Sequence, residues 1–185
     1  MRVKEWMQSD PPTVQAEAQV AEAQKLADEQ GLAIVLVVGE GGELRGFLTR
    51  KALDAAPDPS LPVGKLAAAP TVTLSPGDPM ERAVVLLGER HLLLPVVEDG
   101  KLVGVLTRGG VLQALARMAG FGEEGTRIRI RLSDPAEVYC ALEVLAKAGL
   151  GLISVLQGGE GEVVLHVQGL LDRDDLLQKL EEALR

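Results

Sequence analysis

The sequence contains no asparagine, a single cysteine (Cys140), two histidines and four aromatic residues, Trp6, Phe47, Phe121 and Tyr139. One cysteine excludes an intramolecular disulfide framework and leaves a reducing, cytoplasmic setting as the expectation. So few aromatics cannot build a stacking platform for bases. Positive charge is also short: 19 Lys+Arg against 27 Asp+Glu give a net charge of −8. An acidic balance repels phosphate backbones, which disfavours general nucleic-acid binding. No apolar run approaches the roughly 20 residues that span a bilayer. The longest, residues 31–39 and 91–97, have the length of strands. The N-terminus MRVKEWMQSD lacks the apolar stretch of a signal peptide, so no membrane partner is expected. His91 and His166 have no cysteine or acidic residue at metal-ligand spacing, so no metal is expected. No Ser-His-Asp, Cys-His or paired-carboxylate set points to catalysis. Missing asparagine and scarce cysteine fit the depletion of heat-labile residues in a thermophile, and GC-rich coding leaves the same mark.

What the chain does contain is length and repetition. Its 185 residues are 46% hydrophobic, enough for one large or two small domains. A chain of this size buries roughly 70% of its unfolded surface and can build a core without disulfides or metals. The segment beginning at Val3 recurs at Val63: Thr13-Val14 falls on Thr73-Leu74, Ala23 on Ala83, and Leu26 on Leu86. The strand from Leu32 to Val37 falls on Leu92 to Val97. Past a turn two residues longer in the first copy, Leu44, Gly46, Leu48, Thr49 and Arg50 fall on Leu102, Gly104, Leu106, Thr107 and Arg108. Each copy reads as helix (about 17–30 and 78–90), strand, turn, strand and helix (about 50–56 and 108–118), behind a short extended piece.

Three prolines, Pro57, Pro59 and Pro62, mark residues 57–62 as a linker between a first copy (1–56) and a second (63–119). GFGEEG at 120–125 is a second linker. Residues 126–185 then follow a different plan. Arg127 to Leu132 alternates as a half-exposed strand does, and Ser133-Asp134-Pro135 opens a helix. Two strands joined by GGEG and an amphipathic helix from Asp172 to Leu184 complete a β-α-β-β-α order. The expected class is α+β, with a small ferredoxin-like unit at the end. A fourth strand has no room before Arg185, so this unit is expected to be shortened. Cys140 is expected to pack as a small hydrophobe beside Leu142 and Val144, and His166 to be structural.

Thr49-Arg50-Lys51 and Thr107-Arg108 stand where strand meets helix. One reading is an anion site, in which free amides, a helix N-terminus and a guanidinium converge. The other is that each threonine caps its helix and each arginine is solvated. A positive residue opposes the dipole at that end, so its presence in both copies asks for an explanation.

The duplicated unit resembles a tandem pair of CBS domains, the regulatory module named after cystathionine β-synthase. The likeness rests on VKEWMQSDPPTV, the strand HLLLPVV, and the endings GFLTR and GVLTR, across roughly residues 1–118. The last third resembles an ACT domain. Their order is similar to that of acetoin-utilisation regulators. The resemblance implies two CBS domains in pseudo-twofold tandem around clefts, followed by an ACT-like domain. It implies a homodimer without enzyme activity and with no required cofactor, sensing a small anionic effector, with an unidentified protein partner open. The ligand implied is an adenosyl compound: AMP, ATP, NAD(H) or S-adenosylmethionine. Thr13, Val14 and Thr73 would line a cleft, with plain strand packing as the alternative, and Leu94 and Pro95 would form an apolar adenine wall or else belong to a buried strand with Pro95 at a sheet edge. The family's Gly-x-x-Thr/Ser-x-x-Asp pattern ends here in Ala52 and Gly110, so both ribose-gripping acids are missing. A hydrogen bond to a charged group contributes about 1.5–3 kcal/mol, so the loss weakens a nucleoside roughly ten- to a hundredfold. A homodimeric interaction scaffold with decayed sites is the rival reading.

Overall fold

Val20, Ala23 and Ala27 recur at helical spacing, and all three are fully buried on one stripe of helix α1 (Val20–Gln30). Gln19 and Glu22 close a capping box at its start, and Gly31 ends it at φ 62°, the left-handed region that favours glycine. Its counterpart α3 (Met80–Glu89) buries Met80, Ala83 and Leu87 in the same way. The computed structural model describes residues 1–89, 91–169 and 173–184, and the chain divides into two compact units, Met1–Leu112 and Gln113–Arg185.

The first unit holds two three-stranded sheets. In one, β3 (Ile34–Val38) lies between the parallel β2 (Thr13–Gln15) and the antiparallel β4 (Leu44–Thr49). In the other, β6 (Lys101–Thr107) lies between β1 (Gln8–Ser9) and β5 (Leu93–Glu98), both antiparallel to it. Helices α2 (Arg50–Asp54) and α4 (Arg108–Met118) follow the second strand of each hairpin. The leading segments are exchanged between the copies. Val3 donates its amide to Asp78 O at 3.0 Å and Gln8 pairs with Val105, so the chain start completes the second copy. Val63 donates to Ala18 O at 2.9 Å, and Ala68 exchanges backbone bonds with Phe47, so the segment after the linker completes the first. Val63 accordingly belongs to the core formed by Val14, Val35, Val37, Leu48 and Leu53.

The register of the hairpins corrects the sequence alignment of the repeats by one residue. Ile34 faces Thr49 across one ladder, and Leu93 faces Thr107 across the other. Leu93, and not Leu94, is therefore the counterpart of Ile34. The two-residue difference between the copies is split, one residue ahead of the strand and one in the hairpin turn. A one-residue slip exchanges the two faces of a strand. Leu94 corresponds to the core residue Val35, and both are buried.

In the second unit, β7 (Thr126–Arg131), α5 (Glu137–Lys147), β8 (Gly151–Gln157), β9 (Glu162–Gln168) and α6 (Arg173–Ala183) form an antiparallel sheet of order β7-β9-β8. Both helices pack against it through Ala141, Leu145, Leu176 and Leu180, opposite Ile128, Val163 and Leu165. This is the split-βαβ arrangement of a ferredoxin-like unit. Asp172, read as the start of the last helix, lies outside the described residues; Asp174 and Asp175 sit in its first turn, where negative charge is favoured. Cys140 is exposed, contrary to expectation, because the buried stripe of α5 runs through Ala141 and Leu145. His166 is 1% exposed, and its Nδ1 has no hydrogen-bond partner. Gly120 and Gly125 both approach its ring so closely that an added Cβ would stand 2.7 Å and 2.9 Å from its nitrogens.

Candidate functional site

Strands β3 and β4 alternate their side chains. Val35, Val37 and Leu48 enter the core, and Ile34, Leu36, Phe47 and Thr49 face the opposite way. Strand β5 does the same, with Leu94 and Val96 buried on the helix side and Leu93 and Pro95 on the other. These outward faces from the two copies, with Pro70, Thr71, Val72, His91 and Leu92, enclose a cleft of about 200 Å³. Its lining is mostly apolar, and its polar side chains are Thr49, Thr71 and His91. That is the composition of a small-molecule site, although its volume is below the roughly 300–1,000 Å³ usual for a drug-sized ligand. A second hollow of about 510 Å³, in the other unit, lies between Ser133, Pro135 and Val138 and the hairpin residues Gln157, Glu160 and Gly161. The Ser133 amide beside it is already bonded to Glu137.

Of the residues singled out in the sequence, Thr49 and Pro95 line the cleft between the copies. Thr13 and Val14 lie in β2 beside Leu36 and Val37, and Val14 faces the core. Thr73 is exposed and outside the lining, and Leu94 points away into the second copy. Both threonines at the strand–helix junctions act as caps: Thr49 Oγ1 accepts from the Ala52 amide at 3.2 Å and Thr107 Oγ1 from the Gly110 amide at 3.1 Å.

The arginines beside them turn onto protein groups. Arg50 bonds the carboxylates of Asp28 and Asp54, and the hydrogen bond to Asp28 raises its pKa above the ordinary value. Arg108 Nε donates to the carbonyls of Leu87 and His91, each at 3.1 Å. Each therefore serves the C-terminal end of the preceding helix, α1 or α3, where positive charge is favoured. That explains a basic residue at the start of α2 and α4, and neither arginine lines the cleft. Arg108→Ala is expected to lower stability by about 1–2 kcal/mol, because two carbonyls lose a charged donor. Arg50→Ala, which breaks two exposed pairs, is expected to cost less in the same thermal melts.

Phe47, Thr71, Val72, His91 and Leu93 also line the cleft, and the sequence reading did not single them out. The signal for Leu93 was present in the hairpin register. His91 stands just before the apolar run, with no cysteine or acidic residue at metal-ligand spacing to mark it.

Two copies of one unit, each completed by the other's leading segment, define a duplicated α+β module around a shared cleft. The family model of the CBS domain matches residues 3–57 and 63–117. The chain belongs to the CBS domain family, as a tandem pair. Over 118 residues it is 33% identical to the A-adding tRNA nucleotidyltransferase of Aquifex aeolicus, a match spanning 62% of this chain and 14% of that enzyme's length. Among solved structures, CBSX2 in complex with AMP is 27% identical at a TM-score of 0.58, covering 63% of this chain and 97% of that one. A CBS domain pair/ACT domain protein of Thermotoga maritima is 27% identical at 0.56, over 62% and 96%. The AcuB protein of Vibrio cholerae, 19% identical, shares the fold at 0.60 over 68% and 98%. Among the described residues no helix is long and apolar enough to cross a membrane.

Proposed function

We propose that this protein is a non-catalytic, cytoplasmic homodimeric regulator that binds an adenine nucleotide in the cleft between its CBS repeats. The observation that carries the reading is the cleft itself: an apolar slot formed by Ile34, Leu36, Leu93 and Pro95, with hydroxyls from Thr49 and Thr71. AMP in the complex of the CBS-fold protein CBSX2 supports the choice of ligand. The slot suits a planar base, leaving ribose and phosphate toward the mouth. With Ala52 in place of the family's acid, the ribose is held less firmly. Residues 120–125 link the pair to an ACT-like domain at 126–185, which extends the dimer contact.

The rival is an interaction scaffold without a ligand, favoured by Ala52, by Gly110 and by the two arginines engaged with protein groups. Calorimetric titration with AMP, ATP, NADH and S-adenosylmethionine decides between them. Saturable binding by at least one is expected. Val72→Trp, on the segment that walls the cleft, is expected to abolish it while leaving the ligand-free melting temperature unchanged. Flat titrations with all four at millimolar concentration would leave the scaffold standing.

A further inference from the structure

Building on that reading, we infer that His91 is a specificity-determining contact of the cleft: it meets the anionic part of the nucleotide, and binding takes up a proton. Among the described residues the cleft lining contains no Lys, Arg, Asp or Glu, and His91 is its titratable side chain. The remaining lining residues, from β3, β4, β5 and the 70–72 segment, are apolar or carry hydroxyls. Among the described residues the charged group bonded at its back is Arg108 of α4, held to the His91 carbonyl at 3.1 Å and to that of Leu87 on α3. Arginine stays charged at every pH used with a folded protein, so it does not contribute a titration of its own. His91 is half-buried at the junction of α3 and β5 and lines the cleft.

The pseudo-symmetry sharpens the assignment. The counterparts of His91 and Thr71 in the first copy are Leu32 and Pro11. Neither supplies a polar side chain, so the symmetry-related position lacks both contacts. One nucleotide per chain is the expected stoichiometry. Histidine is the side chain whose charge changes between about pH 5 and 8. A protonated imidazole donates to a phosphate oxygen as a charge-assisted bond, and a neutral one does so more weakly. By linkage, a proton taken up on binding makes affinity rise as pH falls.

The test is isothermal titration of the full chain with AMP at about pH 6, 7 and 8, in two buffers of different ionisation enthalpy, for the native protein and His91→Gln. AMP's own phosphate titrates near pH 6, so the readout is the difference between the two proteins. The native protein is expected to bind one AMP per chain, roughly five- to tenfold tighter at about pH 6 than at pH 8 in excess of the variant. Its proton uptake should exceed the variant's. Adenosine, which lacks the phosphate, should show no such excess. Equal pH responses in native protein and His91→Gln, at unchanged melting temperature, would overturn the assignment. So would the same excess with adenosine. In both cases AMP still binds and the nucleotide reading survives; failure of AMP to bind at any pH would remove that reading and this inference together.

Discussion

Leu94→Ala is expected to lower the unfolding free energy by about 2–5 kcal/mol, and Leu93→Ala by less than about 1 kcal/mol. The two leucines are adjacent and chemically identical, so the contrast isolates their faces. Leu94 is 1% exposed, pairs with Leu106 across the ladder, and occupies the place that Val35 fills in the first copy. Removing its side chain opens a cavity in a core that cannot fully collapse. Leu93 is half-buried at the cleft and faces Thr107 across the strands. Its truncation widens the slot instead, so nucleotide affinity should fall while stability hardly moves. Urea melts of both variants, with calorimetry on Leu93→Ala, check this. Equal losses of stability would mean that the register assigned to β5 is wrong.

The misplacement of Leu94 has a physical cause. HLLLPVV has no polar residue after His91, and a strand buried on both faces shows no period-two alternation. Matching apolar residue to apolar residue is then indifferent to a shift of one. Only the hairpin partner breaks the tie, and Thr49 and Thr107 fix it by standing opposite Ile34 and Leu93. The elements with a contrast in their pattern were legible. The stripes of Val20, Ala23, Ala27 and of Met80, Ala83, Leu87 placed α1 and α3, and the alternation in Arg127 to Ile130 placed β7. Thr49 and Thr107 were legible as caps. The partners of Arg50 and Arg108 were not, because Asp28 and the Leu87 carbonyl come from a helix some twenty residues earlier. The cleft was legible only in outline, since its walls combine outward-facing residues of two copies with segment 70–72.

The exchange of leading segments rests on two glycines, and valine at either is expected to cost roughly 3 kcal/mol or more. Gly46 and Gly104 occupy equivalent places in β4 and β6, each where the other copy's leading segment crosses the strand. A Cβ on Gly46 would lie 2.7 Å from Ala68 O and 3.0 Å from Ala67 Cβ. On Gly104 it would lie 2.8 Å from Met7 Sδ and 2.9 Å from Gln8 O. The obstacle at Gly46 is backbone, which can yield only by breaking the paired bonds between Phe47 and Ala68, at 2.9 Å and 3.0 Å. At Gly104 the Met7 side chain can swing aside while Gln8 O remains, so Gly46→Val is expected to be the more damaging. Gly77→Ala is the control, because nothing lies within 4 Å of its Cβ position, and its effect should stay within about 0.5 kcal/mol. Hydrogen exchange should show the loss crossing over. Gly46→Val should deprotect residues 63–68, and Gly104→Val should deprotect residues 3–9, leaving each variant's distant segment protected. The functional consequence is one-sided as well. Residues 67–68 lead directly into Pro70, Thr71 and Val72, which wall the cleft. Gly46→Val should therefore abolish AMP binding under conditions where the remaining fold persists. If it proves as mild as Gly77→Ala, the segment does not cross there and the wall of the cleft is not held by the exchange.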